Sequence, residues 1–110
     1  MSTHVPHPQA SETSSGQTDE VTVEEGKRFA MYLAIDAVSG TNPTLDVTLQ
    51  EKVNGEWYDR RAFDQKTDSD ANSQFSEGSP GPLSGPVRFD YQLGGTNPDF
   101  DFELRLEEQD

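Results

Sequence analysis

Apolar and polar residues alternate with a period of two along most of the chain beyond Glu20, the mark of half-buried strands. Val21 and Val23 alternate with Thr22 and Glu24 before Glu25-Gly26 interrupts the run. Phe29 to Val38 is a longer and more apolar stretch. Leu45, Val47 and Leu49 share one face, with Asp46, Thr48 and Gln50 on the other. Asn54-Gly55 readily supplies the positive φ angles of a tight turn, so Trp57 to Phe63 is the returning strand of a hairpin. Val87, Phe89, Tyr91 and Leu93 alternate again, as do Phe100, Phe102, Leu104 and Leu106 with Asp101, Glu103, Arg105 and Glu107. Helical spacing is absent. Six or seven short strands with polar turns in about 90 residues predict an all-β chain folded as a single β-sandwich or jelly-roll-like domain.

The breaks in the pattern set the boundaries. Residues 1–18 are rich in Ser, Thr, Pro and Gln, and Val5 is their one apolar residue apart from Met1 and Ala10. Such a stretch has little apolar surface with which to order itself, so residues 1–18 are expected to form an extended, low-complexity N-terminal arm and residues 19–110 the sandwich. Asp64 to Ser73 is polar and unpatterned. Phe75 is expected to begin a short strand. Ser76 to Pro86 carries three prolines and three glycines and reads as a loop or irregular edge.

The strongest internal signal is a repeat. Gly40-Thr41-Asn42-Pro43 and Gly95-Thr96-Asn97-Pro98 both follow one alternating stretch and open another, with Asp46 and Asp101 at matched places. Gly tolerates positive φ, Asn bonds its own backbone, and Pro fixes φ while holding the residue before it extended. The expectation is two similar hairpins in one sandwich, related by a pseudo-two-fold.

These residues carry a resemblance. Thr44 to Val47, Asn54-Gly55-Glu56-Trp57, Phe63, Val87-Arg88, Gly94 to Pro98 and Phe100-Asp101-Phe102 together resemble small structural proteins encoded in the head modules of tailed viruses. The resemblance spans about two-thirds of the chain, leaving out the N-terminal arm and the 64–84 region. It implies a jelly-roll-like sandwich that decorates or cements a capsid. The partner would be the major capsid protein and the location the capsid surface of the virion.

Charge narrows the field. Net charge is -13, from 21 acidic and 8 basic residues spread over the whole chain. Binders of nucleic acid normally neutralise phosphates with Lys and Arg, and the only basic doublets are Lys27-Arg28 and Arg60-Arg61. Nucleic acid and anionic membrane surfaces are therefore not expected partners, and no apolar run is long enough to span a bilayer. An evenly acidic, Lys-poor surface repels itself in dilute buffer and is screened by salt. That points to a halophilic protein and, with the resemblance, to a virus of haloarchaea.

Candidate chemistry is sparse. There is no Cys, hence no disulfide framework, thiol nucleophile or Cys-based zinc site. The only histidines, His4 and His7, fall in the expected arm, where nothing would hold a catalytic base in place, so the protein is read as a non-enzyme without a cofactor. Asp68-Ser69-Asp70-Ala71-Asn72 has oxygen ligands at the first, third and fifth places of a calcium loop. Ser73 and Ser79 replace the Gly and Glu that such loops need, so no metal is expected. Trp57 and Tyr58 are strand neighbours and must point to opposite faces, which makes one of them a candidate for an interface. Val5, Tyr32, Trp57, Tyr58 and Phe75 are the candidate interface residues for a homo-oligomer, a trimer or a dimer. The alternative is a carbohydrate- or receptor-binding sandwich, for example on a viral tail, with an exposed aromatic shelf at Trp57 or Tyr58.

Overall fold

Two strands carry most of the fold, and neither can be straight. β3 (Val21–Val53) has 33 residues and β6 (Leu83–Gln109) has 27. Extended at about 3.3 Å per residue they would reach roughly 110 and 90 Å, yet the longest dimension of the molecule is 41 Å. This is seen in a computed structural model, which describes residues 3–78 and 81–109, apart from the side chains of Glu25 and Ser84.

β3 and β6 lie side by side along nearly their whole lengths. Arg28 to Val38 pair with Gln109 to Phe100, and Thr44 to Glu51 pair with Gly94 to Val87. Partner numbers fall as residue numbers climb within each stretch, so the ladder is antiparallel. β1 (Thr3–Glu12) flanks the C-terminal part of β6, and β5 (Ser73–Glu77) flanks the N-terminal part of β3. Past the bend, β2 (Gly16–Gln17) flanks the N-terminal part of β6, and β4 (Glu56–Ala62) flanks the C-terminal part of β3. One hydrogen-bonded sheet is thus folded over on itself into two facing halves. The aromatic rings prove the folding: Tyr91 and Phe102 belong to one strand, and a straight strand would hold them roughly 36 Å apart, but their centroids are 5.5 Å apart.

The alternation in the sequence fills the space between the halves. Phe29, Met31, Leu33 and Ile35 from one half meet Leu45, Val47, Leu49, Val87 and Phe89 from the other, with Phe100, Phe102, Leu104 and Leu106 in the same buried cluster. Fully burying each such side chain contributes about 1.5–3 kcal/mol, so the expected all-β sandwich follows directly from these rows.

The two Gly-Thr-Asn-Pro motifs are not hairpin turns. Each is a corner at which a long strand leaves one half of the sheet for the other without reversing. Gly40 and Asn42 have φ of 114° and 49°, and Gly95 and Asn97 have 98° and 49°. These matched positive values bend the chain where a strand of ordinary residues would run on. The motifs also face each other. A Cβ on Gly40 would lie 2.6 Å from the Asn97 carbonyl oxygen, and one on Gly95 would lie 2.5 Å from the Asn42 carbonyl oxygen. The sequence repeat is therefore a reciprocal contact across a local two-fold. By contrast, Asn54 and Gly55 form the expected tight turn, with φ of 53° and 81°.

Residues 1–18 are not the free arm expected from sequence: β1 and β2 lie within that segment and are strands of the sheet. An edge strand needs to bury only one row of side chains, and β1 manages this with His7. Pro6 and Pro8 cannot donate to a ladder and sit where the register shifts, on either side of His7, as edge prolines do. In the 64–73 region, Lys66 bridges to Leu45. Thr67 caps a 3-10 turn (Asp68–Asp70), and the Asp70 carboxylate accepts from the Thr67 N–H at 2.8 Å. Among the described residues, no cluster of three His, Asp or Glu side chains is gathered that could hold a metal.

Candidate functional site

Of the five expected interface residues, the fold brings only Trp57 and Tyr58 together, and it sends them to opposite faces. Val5 lies exposed on β1, and Tyr32 lies on the outer face of the other half of the sheet, with the Arg105 guanidinium 5.1 Å from its ring centre. Phe75 pairs in register with Leu33 and so points inward. It packs half-buried against the core, with the Lys66 ammonium 3.7 Å from its ring centre.

The β3–β4 hairpin is where exposed apolar surface and positive charge coincide. Val53 and Tyr58 are 43% and 54% exposed. They stand on the inward-pointing row of the hairpin, past the place where the facing half of the sheet covers it. Along the same row, Arg60 Nη1 donates to the buried Glu51 carboxylate at 2.8 Å, and Arg61 Nη2 donates to Glu77 of β5 at 3.0 Å. A register shift between Leu49 and Gln50 lets both arginines follow Tyr58 on this side. These two pairs tie the open flank of the sandwich together.

Trp57 takes the outward face, where a chain of contacts fixes it. The Arg88 guanidinium lies 4.2 Å from its ring centre and Lys52 Nζ lies 5.8 Å away. Arg88 Nε donates to the Gln50 side-chain oxygen at 2.8 Å, and Gln50 in turn donates to Asp59 at 2.9 Å. A cation held over an indole is an attractive pair, and here it occupies a ring face that a sugar shelf would need bare. Val53, Arg60 and Arg88 were not among the interface residues expected from sequence, because their roles depend on how far the hairpin projects and on which strand lies beside it. The Asn-Gly turn was the available signal for the projection.

Sequence reasoning also missed a buried polar cluster. His7 stacks on Phe102 with 4.2 Å between ring centroids, and its Nδ1 donates to the Phe102 carbonyl at 3.0 Å. Its Nε2 lies 2.7 Å from the Glu12 carboxylate. Burial, together with the charge of Glu12 and a hydrogen bond to its carboxylate, pushes the Tyr91 phenol above its ordinary value. Gly16 crosses directly over this hydroxyl, where a Cβ would lie 3.0 Å from it. The cluster clasps β1 to the sandwich.

A hollow of about 270 Å³ opens on the outer face beside β5 and is lined by Gln9, Asp36, Asn72 and Gln74 together with Ala34, Ile35 and Ser73. No aromatic ring lines it.

No family model and no curated protein matches the sequence. Among solved structures, the fold is similar to a chain in the structure of infectious bursal disease virus Gx strain, with a TM-score of 0.59 and 10% identity, over 96% of this chain and 31% of that one. It is also similar to the CBM22-1–GH10 modules of Clostridium thermocellum endo-1,4-β-D-xylanase 10B complexed with xylohexaose, with a TM-score of 0.52 and 9% identity, over 83% of this chain and 19% of that one. PirA gives a TM-score of 0.51 at 7% identity, over 98% of this chain and 92% of that one. The chain thus spans under a third of the viral chain it resembles and a fifth of the xylanase. What these proteins share with it is the β-sandwich fold, which occurs in both a virus particle and a carbohydrate-binding enzyme.

Proposed function

We propose that the protein is a structural component of a virion, bound to the outer surface of a viral capsid as a dimer or trimer and bridging neighbouring capsid subunits. The observation that carries this reading is the β3–β4 hairpin. On a molecule of net charge -13, it presents exposed Val53 and Tyr58 beside Arg60 and Arg61. Apolar side chains with arginines at their border suit a protein–protein contact. The fold likeness to a chain of a virus particle and the sequence resemblance to tailed-virus head proteins support the same reading. The acidic, Lys-poor surface supports a haloarchaeal host.

Carbohydrate binding is the competing reading, favoured by the likeness to a xylanase chain. Arg88 over Trp57 and the absence of a ring in the hollow beside β5 weigh against it. The experiment is to add purified protein to capsids that lack it, at molar salt, and image the particles. Regular added density on the capsid, lost with Val53→Glu/Tyr58→Glu, is expected. Undecorated particles together with selective retention on a glycan array would replace this reading with the second.

A further inference from the structure

Among the described residues, the four flanking strands of the sandwich differ in what their outer edges offer. β1 is interrupted by Pro6 and Pro8, β2 has two residues and β5 has five. β4 has seven residues and no proline, and six of the seven are exposed. Its charges are balanced: Glu56 and Asp59 against Arg60 and Arg61. It is therefore a neutral edge on a strongly acidic molecule, where a second copy can approach without the repulsion met elsewhere.

We infer that β4 pairs antiparallel with β4 of a second copy, about a two-fold axis passing beside Tyr58. This deepens the self-association in the preceding proposal and is independent of the capsid part of it. The backbone sets the register. Val53 and Glu56 close the two-residue turn, so alternation along the ladder turns the N–H and C=O groups of Trp57 and Asp59 away from β3. Those groups bond to their counterparts in the copy when Trp57 of one chain lies opposite Asp59 of the other. Tyr58 then meets Tyr58 across the axis, and Glu56 meets Arg60 twice. The pairing is self-complementary in backbone, in ring stacking and in charge. Arg60 uses Nη1 for Glu51, and a guanidinium carries five N–H donors in all, so one group can serve both Glu51 and Glu56 of the copy. Joining the edges also covers the ladder groups that an exposed strand leaves open.

The chain has no cysteine, which makes a direct test possible. Residues directly opposite in a non-hydrogen-bonded antiparallel pair have Cα atoms about 4.5 Å apart, within disulfide range. Tyr58→Cys should therefore give a covalent dimer under mild oxidation, whereas Gln74→Cys on β5 should not. Sedimentation of the unmodified full chain in molar salt should show a species of twice the monomer mass. Asp59→Pro removes an outward N–H, and Glu56→Arg sets like charges opposite each other. Each should raise the dimer dissociation constant at least tenfold while leaving the circular dichroism spectrum unchanged. A monomer at all concentrations, a trimer, or a dimer indifferent to both substitutions and not trapped by Tyr58→Cys would overturn the inference. Capsid binding is scored separately, so a dimer that does not bind capsids leaves this inference standing and removes the capsid reading.

Discussion

Replacing Gly95 with alanine tests the reciprocal corner. Two penalties add at this position. Gly95 has φ of 98°, and a non-glycine residue held in such a sparsely populated region costs on the order of 1–3 kcal/mol. The new methyl would also lie 2.5 Å from the Asn42 carbonyl oxygen and 2.8 Å from that of Thr41. Both are backbone atoms of the partner corner, so relief requires the two corners to separate, an overpacking cost of about 1–3 kcal/mol. The expected loss is about 2–6 kcal/mol, a large share of the roughly 5–15 kcal/mol that holds a domain folded. Gly26 supplies the control, since its φ is 80° and nothing lies within 4 Å of a Cβ there. Gly26→Ala should therefore show the backbone penalty alone. Gly40→Ala presses on Asn97 from the other side. Once one substitution has parted the corners, the second has less to disturb, so the double variant should lose less than the sum. Urea unfolding at fixed molar salt, followed by Trp57 fluorescence, measures all four. If Gly95→Ala falls no lower than Gly26→Ala, or the double variant is strictly additive, the corners do not bear on each other as described.

Three further outcomes are expected. His7→Ala should destabilise by about 3 kcal/mol, because a stacked, buried ring with two hydrogen bonds is lost; deletion of residues 3–12 should lower the unfolding midpoint further still, and a truncated chain of full stability would contradict the clasp. Stability should fall as pH rises above about 10: the unfolded phenol of Tyr91 ionises there while the folded one keeps its proton, so the stabilisation present below that pH is lost on the way to the folded value, and Tyr91→Phe should flatten this slope in pH-dependent melts. The melting temperature should climb steeply between low and molar salt as 21 acidic and 8 basic residues are screened, and a flat response would refute the halophilic reading.

The strands were legible because burial on one face leaves a period-two signature in the sequence. The rows at Leu45 to Leu49 and Phe100 to Leu106 are buried just as their alternation requires. The corners were harder to read. Gly, Asn and Pro impose the same local angles in a hairpin and in a bend, and the difference lies in which strands pair on either side. At Asn54-Gly55 the strands pair with each other, and at Asn42 and Asn97 each pairs with the other corner's flanks. β1 shows the same limit from another side. Its composition argues against order, but an edge strand needs only His7 inside, and the aromatic partners of His7 come from β6. Within that segment the apolar Val5 is exposed and the polar His7 is buried, a reversal that residue type alone does not reveal. For the candidate site, the Asn-Gly turn and the opposed Trp57 and Tyr58 could be read in advance. The cation over Trp57 could not, since Arg88 arrives from β6.

The shared corners also constrain how the chain reaches this structure. The same two strands form the middle of both halves, so their alignment in one half dictates their alignment in the other. A slip of one residue would turn every inward side chain outward in both halves at once, which leaves no low-energy state with one half correct and the other misaligned. Forming either corner means bringing Gly40 to Asn97, contacts far apart in sequence, before much local structure can reward the closure. Folding should therefore be slow and all-or-none, as expected for chains dominated by distant contacts, with the meeting of the two Gly-Thr-Asn-Pro segments as its committing step.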